Sequence, residues 1–324
     1  MKKVKIKNFL FCLVCVIILF SDVKKANALS ELNINDNDID ISSEQLIAED
    51  TKYFATVTFY NKNILYSVNG GSEWATRAYT IEISENEYET ENLKDNYYFA
   101  TGDEEVITDY KKLKTTISKK NSQFYNVKNQ LDWKAGKMPK TRGIDLFGIR
   151  ISDGIQPVAN SKSGTVVYSM YNECLGTTEQ KSINLASNGS WKFDNSGYGV
   201  AFQLPKNTTY SFYYDRYFIN TWDCTTSSPK IAESSGNKSF PVTLKSLSST
   251  MSFDVTKTYA NAVMNAISAY GTYQHSVKSL TLNEALSFSI GSSGLGGVFV
   301  VSASIKNKYD NMGGTHAQLI GINW

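Results

Sequence analysis

The chain has 324 residues, 33 Lys and Arg against 31 Asp and Glu, and a formal net charge of +2. A near-neutral balance with no basic stripe excludes nucleic acid and anionic lipid as main partners, because both need clustered Lys and Arg. Two histidines and four cysteines leave little material for metal or thiol chemistry.

Residues 1–28 have the layout of a secretory signal peptide. Lys2, Lys3, Lys5 and Lys7 precede the apolar run Phe9 to Phe20, and Ala26-Asn27-Ala28 supplies a small-x-small cleavage site. The run is shorter than the roughly 20 residues a spanning helix needs. Asp22, Lys24 and Lys25 behind it keep an uncleaved anchor as the competing reading. Cys12 and Cys15 follow Phe11 and Val14, not the small residue that lipidation requires. The expectation is a secreted protein, cleaved after Ala28 and released into the medium. The leader holds six lysines and Asp22, a net +5, so cleavage takes the chain from +2 to about −3 and leaves 296 residues. It also removes two of the four cysteines. Cys174 and Cys224 remain, and in an exported chain they are expected to form a disulfide.

Residues 29–50 are acidic and lack aromatics, and read as a flexible segment. Asp36, Asp38 and Asp40 alternate as in calcium loops, but the glycine and distal glutamate of an EF-hand are missing. Residues 51–156 read as a β-rich region with one helix. Phe54 to Tyr60 is β-branched and aromatic, Ile64 to Val68 leads into the turn Asn69-Gly70-Gly71, and Trp74 to Ile83 returns. Asn96 to Ala100 is a further short strand. Thr101 to Glu104 has capping-box spacing, and Ile107, Tyr110, Leu113 and Ile117 follow at helical intervals, which predicts a helix over 103–119. The lysines Lys111, Lys112, Lys114, Lys119 and Lys120 read as its solvated face. Trp133 to Gly143 reads as loop and Ile144 to Ile151 as strand. The segment 154–164 is the best internal boundary.

Residues 164–324 read as sandwich-like. Thr165 to Tyr171, Ser190 to Phe193, Gly199 to Leu204, Thr209 to Phe218, Phe240 to Leu247 and Met251 to Val255 are predicted strands. Tyr259, Val263, Ile267 and Tyr270 lie on one helical stripe with Gly271 as terminator, which predicts a second helix over 257–270. The fold class is therefore mainly β, sandwich-like antiparallel sheets with two short amphipathic helices, and 51–156 and 164–324 may equally be read as one domain.

The chain closes on an alternating hairpin. Leu280, Leu282, Leu286, Phe288 and Ile290 share one parity, Gly291 to Gly297 reverses the chain, and Val298 to Ile305 returns. One reading makes it a sandwich hairpin. The other makes Leu286, Phe288, Ile290, Gly294, Leu295, Val298 and Val300 a membrane- or partner-binding hairpin, as in a β-pore-forming toxin, since about 9–11 alternating residues suffice to cross a bilayer. Tyr273-Gln274-His275, Ser287 to Ile290, Ser293 to Gly297 and Lys308 to Gly314 together resemble the C-terminal part of small secreted β-rich proteins of bacilli and clostridia. The resemblance implies a Gram-positive secreted origin and contributes no catalytic residue.

Catalytic signals are sparse. There is no His-Glu-x-x-His motif, no Cys cluster and no Gly-x-Ser-x-Gly elbow. His275 and His316, with Asp310 as third ligand, form the only conceivable zinc set. Glu85, Glu87, Glu89 and Glu91 alternate and offer paired carboxylates for glycan hydrolysis. Glu87-Tyr88-Glu89 has the form used by ADP-ribosylating toxins, with Arg77 upstream, but no Ser-Thr-Ser strand precedes it. Trp74, Trp133, Trp191, Trp222 and Trp324 are candidate sugar-stacking or core residues. No cofactor is expected. The leading reading is a non-enzymatic binding or effector protein with an extracellular or cell-surface target. A pore-forming or bacteriocin-like protein and an extracellular glycan hydrolase are the alternatives, and a membrane partner belongs only to the first of these.

Overall fold

The structure is a computed structural model, and it describes residues 45–68, 71–93, 104–138, 143–172, 177–204, 209–214, 236–278, 280–285, 288–293, 297–300, 308–310, 312–322 and 324. Residues 1–28, Cys174, Cys224 and Trp222 lie outside these residues, as do Leu286, Gly294 and Leu295 of the closing hairpin. Residues 44–324 cluster as one compact unit.

The fold is mainly β, with two antiparallel sheets and a few short helices. The larger sheet contains β1 (Gln45–Val68), β2 (Gly71–Ile83), β3 (Glu104–Lys119), β4 (Tyr125–Trp133), β6 (Ile155–Pro157), β7 (Ser163–Asn172), β8 (Thr177–Asn184), β11 (Thr209–Tyr214) and β12 (Gly236–Lys257). Its order is β2-β1-β3-β4-β12-β7-β8, with β6 and β11 also paired to β12. The smaller sheet runs β16-β13-β5-β10-β9, built from β5 (Ile144–Ile151), β9 (Ser190–Asp194), β10 (Gly197–Gln203), β13 (Ala266–Gln274) and β16 (Thr315–Ile320). A ribbon of β14 (Ser289–Ser293) and β15 (Gly297–Val300) pairs with neither sheet and lies beside β5, β9, β10 and β13 of the smaller one. Three short helices, α1 (Glu85–Thr90), α2 (Leu185–Asn188) and α3 (Leu282–Ala285), complete the described elements.

Alternation sets which residues meet between the layers. From β4, Tyr125, Val127, Leu131 and Trp133 turn inward, and from β12, Leu247, Met251, Phe253 and Val255 do the same. They pack in one cluster with Phe147, Ile149 and Ile151 of β5, Val200 and Phe202 of β10, and Ile267, Ala269 and Tyr273 of β13. Each such side chain contributes about 1.5–3 kcal/mol when fully buried, so this shared layer is what holds the sheets face to face. Strands from either side of 157–163 enter both sheets: β4 pairs with β12, and β5 with β10 and β13.

Several strands lie where the sequence places them. β5 spans the predicted residues, and β7, β9 and β10 fall within two residues of prediction. Val68 pairs with Gly71 across the expected hairpin reversal. Other expectations are overturned. The predicted helix over 103–119 is β3, paired with β1 and β4 from Lys111 to Lys119. The predicted helix over 257–270 is replaced by irregular turns and β13. Its stripe is split: Tyr259 is 74% and Val263 91% exposed, whereas Ile267 is buried as part of β13. Gln45 to Asp50, expected to be flexible, pair with β3. Phe240 to Val255, expected as two strands, belong to the single long β12. The strands β4 and β8 were not anticipated. Part of the expected alternating strand before the glycine reversal is the helical turn α3, where Thr281 and Glu284 form a reciprocal cap.

Candidate functional site

The most unusual chemistry lies between the sheets. On β3 the inward positions are Lys111, Leu113, Thr115 and Ile117, all fully buried, while Lys112, Lys114, Thr116 and Ser118 take the other face. A lysine thus occupies a core position. Its ammonium contacts Asp310 Oδ2 and lies 3.5 Å from Asp109 Oδ1 and 4.8 Å above the Trp133 ring. Lys111, Asp109 and Asp310 are each at most 2% exposed.

A second buried pair adjoins the first. Asp145, at the start of β5, receives the Tyr273 hydroxyl at 2.5 Å and the Ser276 backbone N–H at 2.9 Å. Its Oδ1 is 3.0 Å from His275 Nδ1. The His275 backbone N–H donates to Asp310 Oδ1 at 3.0 Å, and the Asp310 N–H returns to the His275 carbonyl at 3.0 Å. His275 thereby joins the two groups into one network, with its ring edge-on to Trp133 at 5.4 Å.

Burial and charge set the protonation states. Burial pushes the Asp109 carboxyl upward, against the opposing pull of Lys111 and His275. For Lys111 burial acts downward, yet the Asp109 and Asp310 carboxylates outweigh it and the net direction is up. For His275 burial again acts downward, and the Asp145 charge and hydrogen bond carry the net direction up. Burial and Asp145 raise the Tyr273 hydroxyl well above its ordinary value.

Four residues further along β3, a neutral network crosses the same gap. Thr115 Oγ1 meets Thr315 Oγ1 at 2.6 Å and donates to Asn129 Oδ1 at 3.3 Å. Asn129 Nδ2 then donates to the Gly148 and Thr272 carbonyls at 3.1 and 3.2 Å. Gly271 makes room for it, since a Cβ there would stand 2.0 Å from Thr115 Oγ1 and 2.6 Å from Asn129 Oδ1. Gly271 is required by this close approach and does not terminate a helix.

The other candidate is the outer face of the large sheet. Lys112, Lys114, Lys128, Gln130, Thr250 and Ser252 help to line a concavity of about 670 Å³ there. Cross-strand pairing sets them side by side: Lys114 opposite Gln130, and Gln130 opposite Thr250. Lys114 holds Glu49 at 2.5 Å. This is a surface of hydroxyls, amides and amines with few apolar side chains, and it includes the Asp132 carboxylate, which accepts from Gln130 Nε2 at 2.9 Å.

The residues singled out from the sequence are dispersed. His275 is buried beside Asp145, whereas His316 is on an exposed position of β16 and stacks on Tyr270 at 4.2 Å. The conceived zinc set is therefore not assembled, and among the described residues no group of three or more His, Cys, Asp or Glu side chains is placed to hold a metal. The glutamates of 85–91 lie on and beside α1 and serve different neighbours. Glu87 closes a capping box with Ser84, Glu85 accepts the Tyr53 hydroxyl at 2.5 Å, and Glu91 pairs with Lys137 at 3.1 Å. Beside Glu85, burial and this hydrogen bond raise the Tyr53 hydroxyl to about 12. Of the hairpin residues, Phe288 is 1% exposed and packs with Leu146, Ala201, Ala285 and Tyr309; Ile290 falls in β14, and Val298 and Val300 in β15. Trp133 is core, Trp191 donates to the Leu185 carbonyl at 2.8 Å, and Trp324 packs edge-on against Tyr125 at 4.8 Å. No described helix is long and apolar enough to cross a membrane.

No protein-family model matches the chain, and no curated protein does either. Among solved structures it is similar to the full-length major pilin RrgB from Streptococcus pneumoniae, at a TM-score of 0.25 and 9% identity over 79% of this chain and 47% of that one. The chain thus spans about half the length of RrgB. It is also similar to the C-terminal domain of the Streptococcus pyogenes antigen I/II-family protein AspA, at 0.23 and 9% over 68% and 79%. The C-terminal domain of the Streptococcus agalactiae AgI/II polypeptide BspA gives 0.22 and 10% over 74% and 94%. At such scores no role is carried over from these proteins.

Proposed function

We propose that the chain is an exported, non-enzymatic binding module that presents the outer face of its large sheet to a hydroxyl- and amide-bearing polymer on a cell surface. The observation that carries this reading is the concave polar face formed by β3, β4, β7 and β12. Lys112, Lys128 and Gln130 offer donors, and Thr250 and Ser252 offer hydroxyls that both donate and accept. Such a face matches polyol and amide groups by many modest hydrogen bonds, each worth about 0.5–1.5 kcal/mol net. The leader supports export, since its charge, apolar run and small-x-small site match a signal peptide.

The test is binding of the fluorescently labelled protein, without residues 1–28, to intact Gram-positive and host cells. Saturable binding to one cell type, cut at least tenfold by the triple substitution Lys112→Ala, Lys128→Ala and Gln130→Ala, is expected. Undiminished binding by a folded triple variant would place the interaction elsewhere on the molecule.

A further inference from the structure

We propose that Lys111 and Asp310 become joined by a self-formed amide cross-link, Lys111 Nζ to Asp310 Cγ, with Asp109 as the acid that moves the protons. The three groups are sealed between the sheets, the amine already touches the Asp310 carboxylate, and Asp109 Oδ1 is 3.5 Å from the same nitrogen. Trp133 closes the amine from above at 4.8 Å.

In water an amine and a carboxylate do not condense, because solvation holds both as ions. A dry interior penalises both charged forms and so lowers the cost of reaching the neutral amine and acid, although the carboxylates beside Lys111 hold it as its ammonium at rest. Fixed contact replaces a bimolecular encounter with a local one. Asp310 is also held asymmetrically, its Oδ1 accepting the His275 backbone N–H at 3.0 Å and its Oδ2 facing the lysine. The His275 N–H would therefore stabilise the developing oxyanion on Oδ1, and Oδ2 is the oxygen that departs. Burial favours the protonated form of Asp109, which suits a general acid.

The step balances without any other reactant. A proton passes from the Lys111 ammonium to Asp310 Oδ2, leaving a neutral amine beside a neutral acid. Nζ attacks Cγ and forms the new C–N bond. Asp109 gives its proton to Oδ2 and recovers one from the nitrogen. The C–Oδ2 bond breaks, one water leaves, and a neutral amide remains with Oδ1 as its carbonyl oxygen. Nothing is oxidised or reduced. The bond would tie residues 199 positions apart, fastening β3 of the large sheet to the segment just before β16 of the small one. This inference is independent of the binding-face reading.

The test is the intact mass of the purified wild-type protein after reduction, with its N-terminus determined. Proteolysis and peptide sequencing by mass spectrometry follow. A mass one water below that of the chain, with a branched peptide joining Lys111 to Asp310, is expected. Lys111→Met and Asp310→Ala should each restore the full mass. Full mass for the wild-type chain, with the Lys111 and Asp310 peptides recovered separately, would reduce the pair to a buried salt bridge; this outcome needs no variant to fold. A folded Asp109→Asn variant should also keep its water, and loss of water at the wild-type extent would remove Asp109 from the mechanism.

Discussion

Lys111 fills a core position that would ordinarily belong to an aliphatic side chain. Removing one partner of a buried ion pair leaves an uncompensated charge and costs about 3–5 kcal/mol. Lys111→Ala should therefore lower the unfolding free energy by that order in urea titrations. In a double-mutant cycle, Lys111→Ala combined with Asp310→Ala should cost less than the two single changes added, because the double variant does not leave the Asp310 carboxylate buried without its lysine. Additive losses would mean that the two groups do not act as a pair. His275 gives a second test through pH. Its folded-state pKa is raised above 6.5 by Asp145. Its contribution is thus fully present below about 6.5 and is lost as pH rises through the folded value. His316 works in the opposite direction, because burial lowers it. In a His316→Gln background His275 is the sole histidine, and stability should fall over the interval in which pH rises above about 6.5. A rise over that interval would contradict the assigned pairing.

At the scale of elements, the strands that were legible carry runs of apolar inward positions, as Phe147, Ile149 and Ile151 of β5 and Tyr198, Val200 and Phe202 of β10 do. The misread ones carry polar groups inside. In β3 the inward set is Lys111, Leu113, Thr115 and Ile117. Reading Lys111 as solvent-facing left Ile107, Tyr110, Leu113 and Ile117, whose spacing imitates a helix. Lys111 also anchors the buried charged network, so the misreading of the element and the failure to see the site have one cause. Asp109, Lys111 and Asp145 were not recognisable as a group because their meeting depends on strand register and on segments far apart in the chain. The period-two alternation of Leu113, Thr115 and Ile117 with Lys111 was the available signal. In β13, the alanines and Gly271 favour helix or turn locally, but small residues are needed where the Thr115–Asn129 network approaches the strand. Gly271→Ala should destabilise by about 1–3 kcal/mol through overpacking, measurable as a lowered Tm. An unchanged or raised Tm would contradict the close approach. At α1, Ser84→Ala should cost about 0.5–2 kcal/mol through loss of the cap, and little effect on activity-independent unfolding would remove the capping box as a stabilising feature.

At the scale of the whole molecule, long-range antiparallel pairing dominates. β12 alone pairs with β4, β6, β7 and β11, and β5 joins β10 to β13. Neither half of the chain completes a sheet by itself, so deleting β13 to the C-terminus should unfold the smaller sheet as well as remove one strand pair. Topologies of this kind fold slowly, because loop closure precedes the contacts that reward it. The polar networks within the sandwich connect the two sheets, while Lys112, Lys114, Lys128 and Gln130 lie on the outer face of the large sheet. That division, with Lys111 inside and its neighbours Lys112 and Lys114 outside, is the central structural claim. Acetylation of the native protein with a water-soluble amine reagent, read residue by residue by mass spectrometry, tests it most directly. The account predicts that Lys112 and Lys114 are labelled while Lys111 stays unmodified; labelling of Lys111 at a rate comparable to theirs would contradict it.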